Sequence, residues 1–273
     1  MITYNSNNKR TSSAFELVQW SIDLSRETSI DQQCIEDKVF AIQTTRIAPS
    51  PLVSDINSPY QGFNLGLHVG DCTEQVNENR DYLKILLPEH VEIQWLEQVH
   101  GNKVIEVSHV SESPIVADAA VTKNKNTCLA IMTADCLPIL LVSKSGDEVA
   151  AIHGGWRPLS DNIIHNTIAK MQSPAENIYA WLGPCISKDF FEVGSEVKTK
   201  FMQHSDVFKA AFIEKSQGKY LADLYKIAEI QLNALGVTQI NALSECTYSN
   251  TDKYYSYRKD NITGRMVTLI CLL

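Results

Sequence analysis

Two histidines and a cysteine stand where apolar, strand-like runs break off. His100 lies in Gln98-Val99-His100-Gly101, Cys136 in Thr133-Ala134-Asp135-Cys136-Leu137-Pro138, and His153 in Ala151-Ile152-His153-Gly154-Gly155-Trp156-Arg157. Imidazole nitrogen and thiolate sulfur are zinc ligands, and three protein ligands with a fourth position open mark a catalytic rather than a structural site. The steps from 100 to 136 and from 136 to 153 match no zinc-finger spacing. Cys136 and His153 would equally serve as a thiolate nucleophile and its base, as in a Cys-His hydrolase. A third reading is a metal-binding or partner-binding module without chemistry. Taken singly, a histidine at a strand end is most often a hydrogen-bonded structural residue, and a free cysteine a small buried hydrophobe. The weight rests on the three together.

The segments that deliver them have strand character. Residues 91–97 alternate ahead of His100, residues 128–132 precede Cys136, and residues 148–152 precede His153. Ile139-Leu140-Leu141-Val142 is apolar throughout, as a strand buried on both faces requires. The spacing predicts strands over about 15–20, 39–43, 91–99, 127–135, 137–143, 148–153, 178–182 and 266–270, with a polar insert over about 23–37. Gly154-Gly155 is read as a tight turn. Thr73 is expected to cap a helix carrying Val76, Leu83, Leu86 and Leu87, and a second helix carries Ile163, Ile164, Thr167, Ile168 and Met171. A third is expected over 221–235, stopped by Gly236 at C′. Interleaved strands and helices predict an α/β fold with mixed sheets.

The bounds are set by composition. With 273 residues and 44% hydrophobic content the chain can bury a large core. A net charge of −8 leaves no basic footprint for a nucleic-acid partner. Seven cysteines, an odd and scattered set without Cys-x-x-Cys, do not form a disulfide framework. The N-terminus is polar and lacks an apolar signal core, and no apolar stretch spans a bilayer. The expectation is a reduced, cytoplasmic protein with no membrane partner. Arg46, Asn64, His68, Asp135 and Arg258 occupy loop or turn contexts near the motifs, where binding residues gather.

These stretches resemble the YfiH-like, laccase-domain (polyphenol oxidoreductase) family, also described as a bacterial purine nucleoside phosphorylase family. The resemblance is carried by Thr44-Thr45-Arg46, Asn64-Leu65-Gly66-Leu67-His68-Val69-Gly70-Asp71, Asn79-Arg80, Trp95-Leu96-Glu97-Gln98-Val99-His100-Gly101 and Ala117-Asp118-Ala119. It continues through the Cys136 and His153 motifs to Leu182-Gly183-Pro184, Phe191-Glu192-Val193-Gly194, Asp223-Leu224, Cys246-Thr247, Tyr255-Ser256-Tyr257-Arg258 and Gly264-Arg265-Met266. It implies packed mixed β-sheets flanked by helices in a single domain, here 36–273, with 1–35 as an N-terminal segment. It places zinc ligands on His100, Cys136 and His153, with copper as the other metal. It implies phosphorolysis of adenosine, inosine and methylthioadenosine and deamination of adenosine. Older descriptions of the family assign copper-dependent oxidation of phenols, and some members are linked to editing of peptidoglycan precursors.

Two departures are local. The family's Gly-Gly-Val-Ser after Thr-Arg is Ile47-Ala48-Pro49-Ser50 here, and its glycine after Trp-Arg is Pro158. Physics favours the nucleoside reading. A His-His-Cys zinc with an open position acidifies water, as attack on a purine C6 requires. The nucleobase-deaminase motifs are absent, so Asp135 is the candidate general acid. Phosphorolysis needs an anion site, for which Arg46 and Arg258 are candidate cations. A multicopper oxidase would need many more histidines, often as His-x-His, and none of the seven here forms such a pair. The expected substrates are a purine nucleoside and phosphate.

Overall fold

Strands that are apolar on both faces need cover on both, and here two sheets cover each other. A computed structural model describes residues 13–20, 35–52 and 55–273. One sheet has five strands in the order Phe15–Leu17, Val39–Thr44, Met266–Leu272, Thr127–Thr133 and Glu92–Gln94, antiparallel except for the last pair. The other has six, in the order Gln239–Ala242, Ile178–Leu182, Leu137–Ser143, Val149–Gly154, Ala119–Thr122 and Val104–Glu106. Its central four strands are antiparallel and its two edge pairs parallel. A small three-stranded sheet, Glu192–Gly194, Lys219–Ala222 and Phe212–Ser216, stands beside them.

The period of two along a strand sorts its residues into different cores. Leu129 and Ile131 point between the sheets toward Leu140, Val142, Val149 and Ala151. Their neighbours Cys128, Ala130 and Met132 face outward, under Phe63, Leu65 and Leu83 of the Thr73–Ile85 helix side. Ile139, Leu141, Ala150 and Ile152 face the opposite layer, built by helices Ile163–Lys170, Ser195–Met202 and Leu224–Ala234. The result is helix, sheet, sheet, helix, the mixed α/β architecture expected. Every residue of Leu137–Ser143 is buried, so truncating Leu140, which is fully buried, should destabilise by about 2–5 kcal/mol. A shift of the denaturant midpoint in Leu140→Ala measures this.

Three expected elements differ. The run 91–99 is broken at Trp95 into Glu92–Gln94, which joins the five-stranded sheet, and Leu96–Glu97, which pairs with Ile115–Val116. Buried Gln94 holds the break, its Nε2 donating to the Trp95 carbonyl at 2.8 Å and its Oε1 accepting from Ser111 N at 2.8 Å. The helix expected from 221 starts at Leu224, because Leu221 and Ala222 end a strand and Asp223 accepts from Lys226 N as the N-cap. Leu221 only mimics the helical spacing. Cys72, not Thr73, occupies the cap of the first helix, without a side-chain cap bond. Gly236 does stop the third helix, at φ +97°. Most of the polar insert lies outside the described residues. No helix among the described residues is long and apolar enough to cross a membrane.

Candidate metal centre

Cys136 ends a three-residue crossover, Ala134-Asp135-Cys136, that carries the chain from one sheet to the other. So short a link forces Asp135 to φ +90°, a conformation that persists in a non-glycine residue only when its surroundings fix it. They do so here. Thr247 Oγ1 donates to Asp135 Oδ1 at 2.6 Å, Arg258 N to Oδ2 at 2.6 Å, and Ile186 N to the Asp135 carbonyl at 2.9 Å.

His153 sits near the end of Val149–Gly154, almost fully buried. Its Nδ1 is 2.8 Å from Asp118 Oδ1. Ionised carboxylate only accepts, so Nδ1 carries a proton, and the ring atom left to ligate an ion is Nε2. His100, at φ +59°, is held by the same carboxylate. Asp118 Oδ1 accepts from His100 N at 2.9 Å and Oδ2 from Gly101 N at 2.7 Å. The Asp118 carbonyl also accepts from His153 N at 2.8 Å. One fully buried acid therefore orients both histidines.

The three side chains meet. His100 Nε2 is 3.9 Å from Cys136 Sγ, and the imidazoles meet edge to face with centroids 4.7 Å apart. The ligand atoms of all three lie within 4.8 Å of one another. Tetrahedral zinc at about 2.0–2.1 Å from nitrogen and about 2.3 Å from sulfur would hold them roughly 3.4–3.6 Å apart. The donor set fits a divalent ion after a small contraction. Gly154 and Gly155 are required here for closeness, not for the turn expected, since neither has positive φ. A Cβ on Gly155 would stand 3.2 Å from Cys136 Sγ and 3.3 Å from His100 Cδ2, and one on Gly154 would stand 2.6 Å from the Leu137 carbonyl.

Charge is concentrated at this point. Burial alone would raise the Cys136 thiol, but the charge of His153 and hydrogen bonds from both histidines bring it down to about 6. Burial works against protonation of His153, yet the Cys136 thiolate and Asp118 lift it to about 9. Burial would raise Asp118 too, and its bonds from His153, Gly101 and His100 outweigh that and lower it. Metal-free protein should thus alkylate at Cys136 with an inflection near pH 6, well below the roughly 8.5 of a free thiol. Zinc should slow the labelling, because coordination holds the sulfur. A covalent substrate adduct on Cys136 during turnover would instead favour the nucleophile.

The cluster forms part of the wall of a cavity of about 550 Å³, a size typical of small-molecule sites. Three guanidinium groups, Arg157, Arg258 and Arg265, line it with His68 and Asp135, and Trp156, Phe191 and Tyr257 supply aromatic surface. Two of the residues expected to bind substrate do not line it. Arg46 donates through Nη1 to the Thr251 carbonyl at 2.9 Å and lies over the Tyr255 ring. Asn64 is fully buried, donating to Asp71 and accepting from Gly66 N and Arg265 N. Both brace the loops behind the site. Asp118, Arg157 and Arg265 are absent from the sequence-based candidates. The signal for Asp118 was its carboxylate in the otherwise apolar Ala117-Asp118-Ala119-Ala120-Val121.

Residues 44–273 match the family described as multi-copper polyphenol oxidoreductase laccase. The chain is 41% identical over 235 residues to purine nucleoside phosphorylase YfiH of Escherichia coli, covering 86% of this chain and 94% of that one. It is also 41% identical over 240 residues to a purine nucleoside phosphorylase of Haemophilus influenzae, covering 86% and 95%. Among solved structures, a Neisseria meningitidis protein aligns with a TM-score of 0.81 at 39% identity, over 86% of this chain and 94% of that chain. The Bacillus licheniformis protein YfiH aligns at 0.83 over 99% and 100%, at 23% identity, which is a likeness of fold.

Proposed function

This chain belongs to the family described as multi-copper polyphenol oxidoreductase laccase, and from that footing we propose that it is a zinc-dependent purine nucleoside enzyme. It splits adenosine, inosine and methylthioadenosine with phosphate, and deaminates adenosine with water. The observation that carries the reading is the meeting of His100, Cys136 and His153 in the wall of an arginine-lined cavity. The relatives named purine nucleoside phosphorylase support it.

His100, Cys136 and His153 hold the ion, which when bound would acidify a water molecule for attack at neutral pH. Asp118 keeps His153 in the ligating tautomer. In phosphorolysis a phosphate oxygen bonds to C1′ as the C1′–N9 bond breaks, its electron pair leaving on the purine. The proton that hydrogen phosphate loses on becoming an ester ends on the base. Arg157, Arg258 and Arg265 make the cavity wall positive and so draw phosphate toward it. Trp156, Phe191 and Tyr257 give the purine and sugar apolar surface. In deamination water adds at C6 and ammonia leaves. Asp135 is assigned to positioning rather than proton transfer, since both its oxygens already accept from Thr247 and Arg258.

Oxidation of phenols by copper is the competing reading. Among the described residues a single group of three such ligands is close enough to hold an ion. A His-Cys-His set accounts for one copper centre, not for the further cluster of a multicopper oxidase.

Incubation with each nucleoside, followed by chromatography, tests the proposal. Free base should appear only with phosphate, and ammonia from adenosine with water alone. No turnover, together with metal-dependent oxidation of phenols, would replace it with the oxidase reading. Turnover of neither class would leave a peptidoglycan-editing or binding role.

A further inference from the structure

A second hollow of about 340 Å³ adjoins the main cavity and shares His68, Tyr257 and Arg265 with it. Its remaining wall includes Tyr60, Asn261 and Thr263, and no carboxylate lines it. Arg265 is half-buried, its Nη1 donating to the carbonyls of Thr263 and Gly264 at 3.0 Å each and its guanidinium lying 5.7 Å from the Tyr257 ring centroid. Arg80, whose charge reaches His68, donates to the Leu65 carbonyl at 2.9 Å and lies 3.7 Å over the Trp95 ring. Neither guanidinium pairs with a carboxylate among the described residues.

Partly buried cations without an ionic partner are costly, and proteins keep them mainly where an anion will arrive. Thr263 adds a second, independent sign. Its hydroxyl is buried and has no hydrogen-bond partner, although buried hydroxyls nearly always find one. Thr133, in the wall of the main cavity, has the same unpartnered hydroxyl. Burial, then the charges of Arg265 and Arg80, also hold His68 below its ordinary pKa, so the imidazole is neutral and ready to donate one hydrogen bond.

We propose that the smaller hollow is the inorganic phosphate site, with Arg265 and Thr263 holding the oxyanion and His68 at the wall shared with the nucleoside cavity. The assignment rests on the nucleoside reading for the identity of its ligand. It explains why two hollows share a guanidinium. Arg265 also feels the charge of Cys136 and Asp135, which places the anion's holder within electrostatic reach of the metal centre.

Titration calorimetry with inorganic phosphate alone, on zinc-loaded protein without nucleoside, tests it. One phosphate should bind per chain. Arg265→Gln should weaken binding about 100-fold and Thr263→Val about tenfold, as expected for losing a charge-assisted contact and a single hydroxyl donor. Thr263→Val removes a group with no protein partner, so its melting temperature should hold even if Arg265→Gln folds poorly. Phosphate affinity unchanged in both variants, or no binding to the wild type, overturns the site. Adenosine 5′-monophosphate displacing phosphate with far higher affinity would make the hollow a nucleotide site and overturn the co-substrate assignment. Turnover of nucleosides with phosphate binding unmoved by both variants sinks this site and leaves the enzyme reading intact. Phosphate binding as stated, without any turnover, does the reverse.

Discussion

Cys136→Ala protein, purified and offered zinc, should retain less than a stoichiometric ion and lose phosphorolysis by at least about 10³-fold, roughly 4 kcal/mol in barrier height. His153→Ala should do the same. Cys136 is half-buried in a crossover and His153 lies at a strand end, so neither change removes a large part of the core. Far-ultraviolet circular dichroism should therefore match the parent. Deamination should fall at least as far as phosphorolysis, because the activated water disappears with the metal. Full metal content in both variants would show that the three side chains meet for another purpose.

Asp118→Asn should have the second-largest effect, although Asp118 reaches no substrate. Its carboxylate accepts from His153 Nδ1, His100 N and Gly101 N, and the substituted amide offers one acceptor and a competing donor. Loss of such an orienting acid commonly weakens metal binding or activity by about 10–100-fold. Stability should fall as well, by about 1–3 kcal/mol for each buried donor left unsatisfied. The folded-state pKa of Asp118 is depressed, so its stabilisation is present above the unfolded value of about 3.9 and is lost as pH falls through the folded one. Parent and variant should accordingly converge in stability at acid pH. Zinc affinity and denaturant midpoints across pH measure both effects. Unchanged affinity would reduce Asp118 to a packing residue.

His100, Cys136 and His153 were legible as candidates because each follows an apolar run, which is local information, whereas their joining in one ligand set came from the family resemblance. Leu137–Ser143 was readable from local information too, being apolar at every position before Ser143. Asp118 was not, because its function depends on two histidines brought to it from other segments. Arg46 and Arg265 show the same limit in opposite directions. Both are loop or strand-flanking cations in matching motifs, yet only Arg265 reaches the cavity, and nothing local distinguishes them. The misplaced start of the Leu224–Ala234 helix came from Leu221, whose spacing fits the helical face while its backbone completes a strand.

Release of hypoxanthine from inosine and phosphate, followed while zinc is titrated into chelated protein, tests the central claim most directly. Activity should be absent without metal, rise in proportion to added zinc and level off at one ion per chain. Undiminished release from the chelated protein would contradict the account, as would a metal-loaded protein that oxidises phenols and leaves inosine intact.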